Sequence, residues 1–198
     1  MKKIILLLPV MLLISACSSL VHLDEDEKSK RWNNHLVQIN KVESWSMIGR
    51  VSVKNLNESA TFKLQWEQNN SDYELRLISA FGQGTFLING SDKGINIQTP
   101  KNKIFSGVSA NQLIREKLGW DINLSGLKYW IRGAPEPDVE YSELLLDDHG
   151  RLSEMKQSNF TIRVLRYNKK DGLFLPKKIF IKGKDIQLKL VINEWGIY

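Results

Sequence analysis

From residue 45 onward, apolar and polar side chains alternate with a period of two. The run Ala60-Thr61-Phe62-Lys63-Leu64-Gln65-Trp66-Glu67 puts apolar residues at even positions and polar ones at odd positions, Thr61 adding only a methyl. Such alternation marks a strand with one buried face. Residues 73–77 repeat it. Further strands are predicted over 45–54, 85–89, 95–99, 103–106, 141–146, 152–157, 160–167, 177–182 and 186–190. Turn-forming clusters at 55–57, 69–72, 90–94, 100–102, 147–150 and 183–185 separate many of them. Leu175-Pro176 leads into the strand over 177–182, and Trp195 stands near the end. Spacings this short suit antiparallel neighbours.

Two stretches break the period. Over 27–41, Trp32, Leu36 and Ile39 recur at helical spacing, with charged and amide residues between them. That pattern predicts a helix packed on the domain. Ser109-Ala110-Asn111-Gln112 then has the form of a capping box. Leu113, Ile114 and Leu118 supply an apolar face, and Gly119 is a natural stop. A second short helix over 125–131 carries Leu127, Trp130 and Ile131, and Gly133-Ala134-Pro135-Glu136-Pro137 ends it. The expected architecture is mainly β. Ten or eleven strands and three helices form one strongly curved sheet or barrel enclosing an apolar face. Alternation alone leaves three states open for the enclosed space: filled by side chains, covered by the helices, or open to a ligand.

The first residues read differently. Lys2 and Lys3 precede an apolar run over 4–14 that only Pro9 interrupts. Those 11 residues are too few to span a bilayer core, which needs about 20. The run ends Ile14-Ser15-Ala16-Cys17, the pattern of a lipobox. Residues 1–16 are therefore expected to be a lipoprotein signal peptide. Cys17 is the expected lipidation site, 17–26 a lipidated tether, and 27–198 a single domain. Cleavage would leave 182 of the 198 residues and lower the formal charge from +6 to +4. Cys17 is the sole cysteine, so an exported domain would rest on its core without a disulfide.

The basic excess is compatible with an anionic membrane surface. Along the chain, however, the charges are dispersed, as on a normally solvated surface. No Arg/Lys–aromatic stripe points to nucleic acid. The three histidines, His22, His35 and His149, lie in no metal-ligating spacing. His149 beside Asp147 and Asp148 fits an exposed turn better than an acid/base group. There is no Gly-x-Ser-x-Gly elbow, and Gly82-Gln83-Gly84 lacks the third glycine of a dinucleotide loop. Neither an enzyme nor a cofactor is expected.

Two features lean towards an apolar ligand. Trp32, Trp45, Trp66, Trp120, Trp130 and Trp195 are many for this length. They suit the walls of a lipid site and equally those of a dry core. Ile78-Ser79-Ala80-Phe81-Gly82-Gln83-Gly84 links two predicted strands and puts Phe81 at the turn, where an exposed apolar residue would suit membrane contact and a turn that folds back would equally bury it.

Taken together, these residues resemble the LolB family, outer-membrane lipoproteins that receive other lipoproteins from a periplasmic carrier and insert them. The likeness runs through the lipobox, Gly49-Arg50, Trp66-x-Gln68, Leu75-x-Leu77 leading to Phe81-Gly82, and Trp130-Ile131-x-Gly133-x-Pro135. It continues through Gly150-x-Leu152, Gln157, Leu175-Pro176 and the closing strand to Trp195. The chain departs from the family pattern at Asn123, where Pro is common, and at Phe160, where Trp is common. It also has Ala80-Phe81-Gly82 where the family loop reads Pro-Leu-Gly.

The resemblance implies an incomplete antiparallel barrel whose helices cover an apolar cavity for acyl chains. The even face of the second strand (Phe62, Leu64, Trp66) with Trp130 is the candidate wall. Phe81, flanked by Ala80 and Gly82, is the candidate membrane-insertion loop. The implied partners are a LolA-like carrier, acylated cargo and outer-membrane lipids, with the chain a monomer that binds no nucleic acid and hydrolyses no nucleotide. A structural or adapter lipoprotein with a filled core is the alternative.

Overall fold

The computed structural model describes residues 24–79 and 84–198. Helix α1 (Glu25–Asn40) is followed by strands β1 (Ser44–Lys54), β2 (Ser59–Asn69), β3 (Asp72–Ser79), β4 (Thr85–Ser91), β5 (Gly94–Gln98) and β6 (Ile104–Gly107). Helices α2 (Ala110–Leu118) and α3 (Leu124–Trp130) come next. Strands β7 (Tyr141–Leu146), β8 (Leu152–Gln157), β9 (Phe160–Lys170), β10 (Leu173–Lys182) and β11 (Gln187–Ile197) complete the chain.

The eleven strands among the described residues form one antiparallel sheet in the order β6-β5-β4-β3-β2-β1-β11-β10-β9-β8-β7. The first and last strands of the chain meet in its middle, where Trp45 lies opposite Ile197 and Lys54 opposite Gln187. Two meanders run outward from that seam. Their edges, β6 and β7, do not pair with each other. The stretch that links those edges carries α2 and α3. The sheet is thus an unclosed barrel, and the helices stand where closing strands would be.

The period-two pattern decides which face is enclosed. On β2, Phe62, Leu64, Trp66 and Gln68 are buried, while Thr61, Lys63 and Glu67 are exposed. The buried face joins Trp45, Met47, Leu75, Leu77, Ile88 and Ile97 in one apolar cluster that also takes in Leu113, Ile114, Leu127 and Trp130 of the short helices.

Four boundaries differ from the sequence expectation. Helix α1 begins at Glu25, because Asp24 caps it by accepting from the Glu27 amide at 2.7 Å. Strand β10 begins at Leu173 and runs through Pro176, where the β9–β10 register shifts. Proline donates no ladder bond, and an irregularity there accommodates it. Strand β9 reaches Lys170, and β11 reaches Ile197, well beyond the expected 190. That extra length is held by non-local pairing with β1. A bulge at Ile48/Gly49 lies on the same seam, and a Cβ at Gly49 would collide with the Val191 carbonyl oxygen. Close backbone approach is the physical reason for the Gly49-Arg50 motif.

Candidate functional site

The four candidate wall residues lie on the enclosed face and share one cluster. Phe62 makes edge contacts with Phe86 and Trp120, at centroid distances of 6.1 and 5.6 Å. Trp66 packs at 5.3 Å from Trp45, which packs in turn on Trp195 at 5.7 Å. Trp130 lies 5.2 Å from Phe160. Trp66 and Trp130 are each only 1% exposed.

Burying an indole requires an acceptor for its N–H, and glutamine supplies it twice. Trp66 Nε1 donates to Gln68 Oε1 at 3.2 Å, and the Gln68 amide nitrogen donates to the Asn70 and Asp72 carbonyls. Trp130 Nε1 donates to Gln157 Oε1 at 2.7 Å, while Gln157 Nε2 donates to the Glu136 and Val139 carbonyls. Gln157 therefore pins α3 and the following loop to β8. Both glutamines stand at buried strand positions where the alternation calls for an apolar residue, and that mismatch is the signal for them in the sequence.

The helices are held by short polar devices. Asn123 caps α3 by accepting from the Gly126 amide at 3.1 Å. Its amide nitrogen donates to Glu136 Oε2, and Asn111 of α2 donates to Asn123 Oδ1 at 3.3 Å. The Leu124 amide donates to Asn111 Oδ1 at 2.8 Å. Asn123 thus links both helices, a role proline has no side-chain group to fill. Ser109 caps α2 by accepting from the Gln112 amide, and Gly119 ends it at φ +69°.

Arg132 is a residue that sequence reasoning passed over. It is 2% exposed. Its guanidinium donates to the Ile39 and Val42 carbonyls at the end of α1 and to the Lys128 carbonyl of α3. The Trp45 and Tyr129 rings flank it at 5.7 and 5.2 Å. Burial pulls its pKa down to about 10, so it stays charged at neutral pH. It ties α1 to α3 through three carbonyl acceptors.

A cleft of about 570 Å³ opens between the β2–β3 turn, the start of α2, α3 and the loop at 136–138. Trp66, Tyr73, Leu124 and Tyr129 give it apolar walls, and Asp92, Lys128 and Glu136 give it charged ones. Burial pushes the Tyr73 phenol up to about 12. Burial and the neighbouring Arg132 hold Lys128 below the usual lysine range. Of the four wall candidates, Trp66 reaches this cleft, while Phe62, Leu64 and Trp130 sit deeper in the packed interior.

Cys17, Ala80, Phe81, Gly82 and His22 lie outside the described residues. His35 is buried on α1 and stacks on Trp32 at 5.9 Å. Burial holds its imidazole below the usual range, against a raising hydrogen bond with the Gly133 backbone. His149 lies in the β7–β8 turn, where its amide donates to Asp147 Oδ1. Burial alone would raise the Asp147 pKa. Hydrogen bonds from Arg151 and the His149 amide outweigh that and hold the carboxylate below its usual range. These groups brace a turn.

The open antiparallel sheet with helices across its gap recurs in solved structures. It is similar to a LolA superfamily protein from Nitrosomonas europaea, with a TM-score of 0.55 at 10% identity over 84% of this chain and 93% of that one. It is also similar to a lipoprotein-sorting protein domain from Vibrio parahaemolyticus, with a TM-score of 0.55 at 9% identity over 85% and 93% of the two chains. At these identities the likeness concerns the fold alone.

Sequence comparison goes further. Residues 43–195 match the family described as outer membrane lipoprotein LolB, and the chain belongs to that family. It is 30% identical over 166 residues to the outer-membrane lipoprotein LolB of Pseudomonas putida, covering 84% of this chain and 80% of that protein. Against the protein of the same name from Pseudomonas aeruginosa it is 29% identical over 186 residues, covering 92% and 90%. The chain is therefore a lipid-anchored outer-membrane lipoprotein with a role in lipoprotein localisation, and not an enzyme.

Proposed function

We propose that this protein takes the acyl chains of a cargo lipoprotein from a periplasmic carrier onto its enclosed apolar face and delivers them to the outer membrane. The observation that carries this reading is the gap between β6 and β7, spanned by two short, separately capped helices. Helices of 9 and 7 residues have little stability of their own. Lifting them exposes Phe62, Leu64, Trp66 and Trp130 without breaking a strand pair.

Each acyl CH₂ buried is worth about 0.8 kcal/mol, so cargo with several chains needs continuous cover. Transfer from one apolar face to another exchanges like surface for like. A rise in affinity from carrier to receiver to bilayer then drives the sequence, and no nucleotide has to be hydrolysed. In this reading residues 1–16 direct export, Cys17 carries the anchor, and Phe81 between Ala80 and Gly82 promotes release into the bilayer. The protein works as a monomer.

The packed interior around Phe62, Leu64 and Trp130 favours a second reading, an adapter lipoprotein with a filled core. One experiment separates the two. A chain begun at Ser18 is mixed with the carrier loaded with acylated cargo, and cargo is followed by size-exclusion chromatography. The transfer reading expects the cargo to move to this chain, and Phe81→Glu to leave uptake intact while cutting insertion into vesicles. If the chain acquires no acylated ligand, the adapter reading stands and transfer is excluded.

A further inference from the structure

Cations that are scattered along the chain are gathered by the strand register onto one half of the outer, convex face. Lys63 on β2 lies directly opposite Arg50 on β1. Arg50 faces Val191 on β11, Val191 faces Lys178 on β10, and Lys178 faces Arg166 on β9. This single rung crosses five strands and carries four cations and no acid.

Towards the β1–β2 turn, the next same-face rung aligns Ser52, Lys189, Phe180 and Arg163, and the one beyond it aligns Lys54, Gln187 and Lys182. Of these eight cations, Arg163 alone forms an ion pair among the described residues, with Glu154 at 2.6 Å. The other seven side chains are exposed. Of the acids on the same face, Glu67, Glu74 and Glu194 lie towards the opposite end of the strands, and Glu154 on β8 is taken up by its pair with Arg163.

Like charges directly opposite on a sheet destabilise it. The pairs Arg50–Lys63 and Lys178–Arg166 therefore work against the fold, and in a surface with no task they would be easy to relieve. We infer that this half of the convex face is a docking surface for the anionic phospholipid headgroups of the membrane that holds the protein. Each Lys or Arg near such a surface adds to binding.

Two observations favour a bilayer over an acidic protein. The chain is lipid-anchored, and seven residue steps separate Cys17 from Asp24, which at full stretch span about 25 Å. With the anchor at Cys17, on which this inference rests, that tether keeps the domain within about 25 Å of the bilayer. The patch is also an open array whose rungs hold no tryptophan or tyrosine anchor, unlike a protein hot spot. The exposed apolar side chains within it, Val191 and Leu165, sit between the cations.

The test uses the chain begun at Ser18, which retains every described strand, helix and core residue. Sedimentation is measured with phosphatidylethanolamine vesicles, with and without phosphatidylglycerol. The wild-type chain is expected to sediment with the anionic vesicles, less so as salt rises. The variant Arg50→Gln/Lys63→Gln/Lys178→Gln/Arg166→Gln is expected to lose about fivefold per contacting cation. Its melting temperature should be unchanged or higher, because opposed like charges are gone. Glu67→Gln is expected to leave binding unchanged.

Equal binding to both vesicle types, or full binding by the quadruple variant, overturns the inference. So does retention of the carrier protein by the patch without vesicle binding. If the quadruple variant fails to fold by circular dichroism, Lys54→Gln/Lys182→Gln/Lys189→Gln makes the same test on the other rungs. Cargo uptake uses the opposite face and is expected to survive in all of these variants, so failure here is distinguishable from failure of the transfer reading.

Discussion

Phe62 and Lys63 are neighbours in the chain, yet one is buried in an aromatic cluster and the other belongs to an exposed row of cations. That division was legible in the sequence, because a period of two on a half-buried strand admits one assignment once its apolar set is known. The roles of Gln68, Gln157 and Arg132 were less legible. Gln68 and Gln157 break an apolar expectation, and the partners of all three are carbonyls or indoles whose approach depends on the fold. His35 is another buried polar group, with an unpartnered Nε2 among the described residues. Its folded pKa lies below the ordinary value of 6.5, so the folded state binds fewer protons than the unfolded one. Its contribution is then fully present above that value and is lost as pH falls below it. Urea unfolding of the wild type should show the midpoint falling between pH 7 and pH 5, and His35→Gln should flatten that dependence. An equal slope in the variant would assign the effect to other groups.

At the scale of elements, α2 and the strands β7 and β8 lie where the local pattern puts them. The Ser109 cap on the Gln112 amide and Gly119 as a stop are local signals that the fold keeps, while the Gln112 side-chain amide turns to Glu116. Strand ends were predicted less well where their partners are remote. β11 reaches Ile197 because β1 pairs with it across the whole chain length, and β10 absorbs Pro176 through a register shift. No local pattern carries either fact. The cleft at the start of α2 was likewise invisible, since five separate segments form it. If α2 must lift for uptake, fastening it to β6 should block uptake. A Cβ at Gly107 would stand 3.7 Å from the Leu113 Cβ, close to the spacing a disulfide needs. In the chain begun at Ser18, which has no other cysteine, the oxidised Gly107→Cys/Leu113→Cys variant is expected to refuse acylated cargo and to accept it after reduction. Uptake by the oxidised form would show that α2 is not the gate.

For the whole molecule, the topology does two things at once. Pairing the first and last strands in the middle of the sheet leaves the two edges to the helical segment, so the barrel stays open along one side. The same pairing brings β1, β2, β9, β10 and β11 together and builds the cationic face from residues that are far apart in sequence. An apolar inner face and a cationic outer face on one curved sheet suit a protein that holds lipid on one side and rests on a membrane by the other. The most direct test replaces Phe62 with p-benzoylphenylalanine in one chain and Lys63 in another, and irradiates each during transfer of acylated cargo from the carrier. The account predicts a cargo crosslink from position 62 and little or none from position 63. A crosslink from 63 alone, or none from 62 while transfer proceeds, would contradict it.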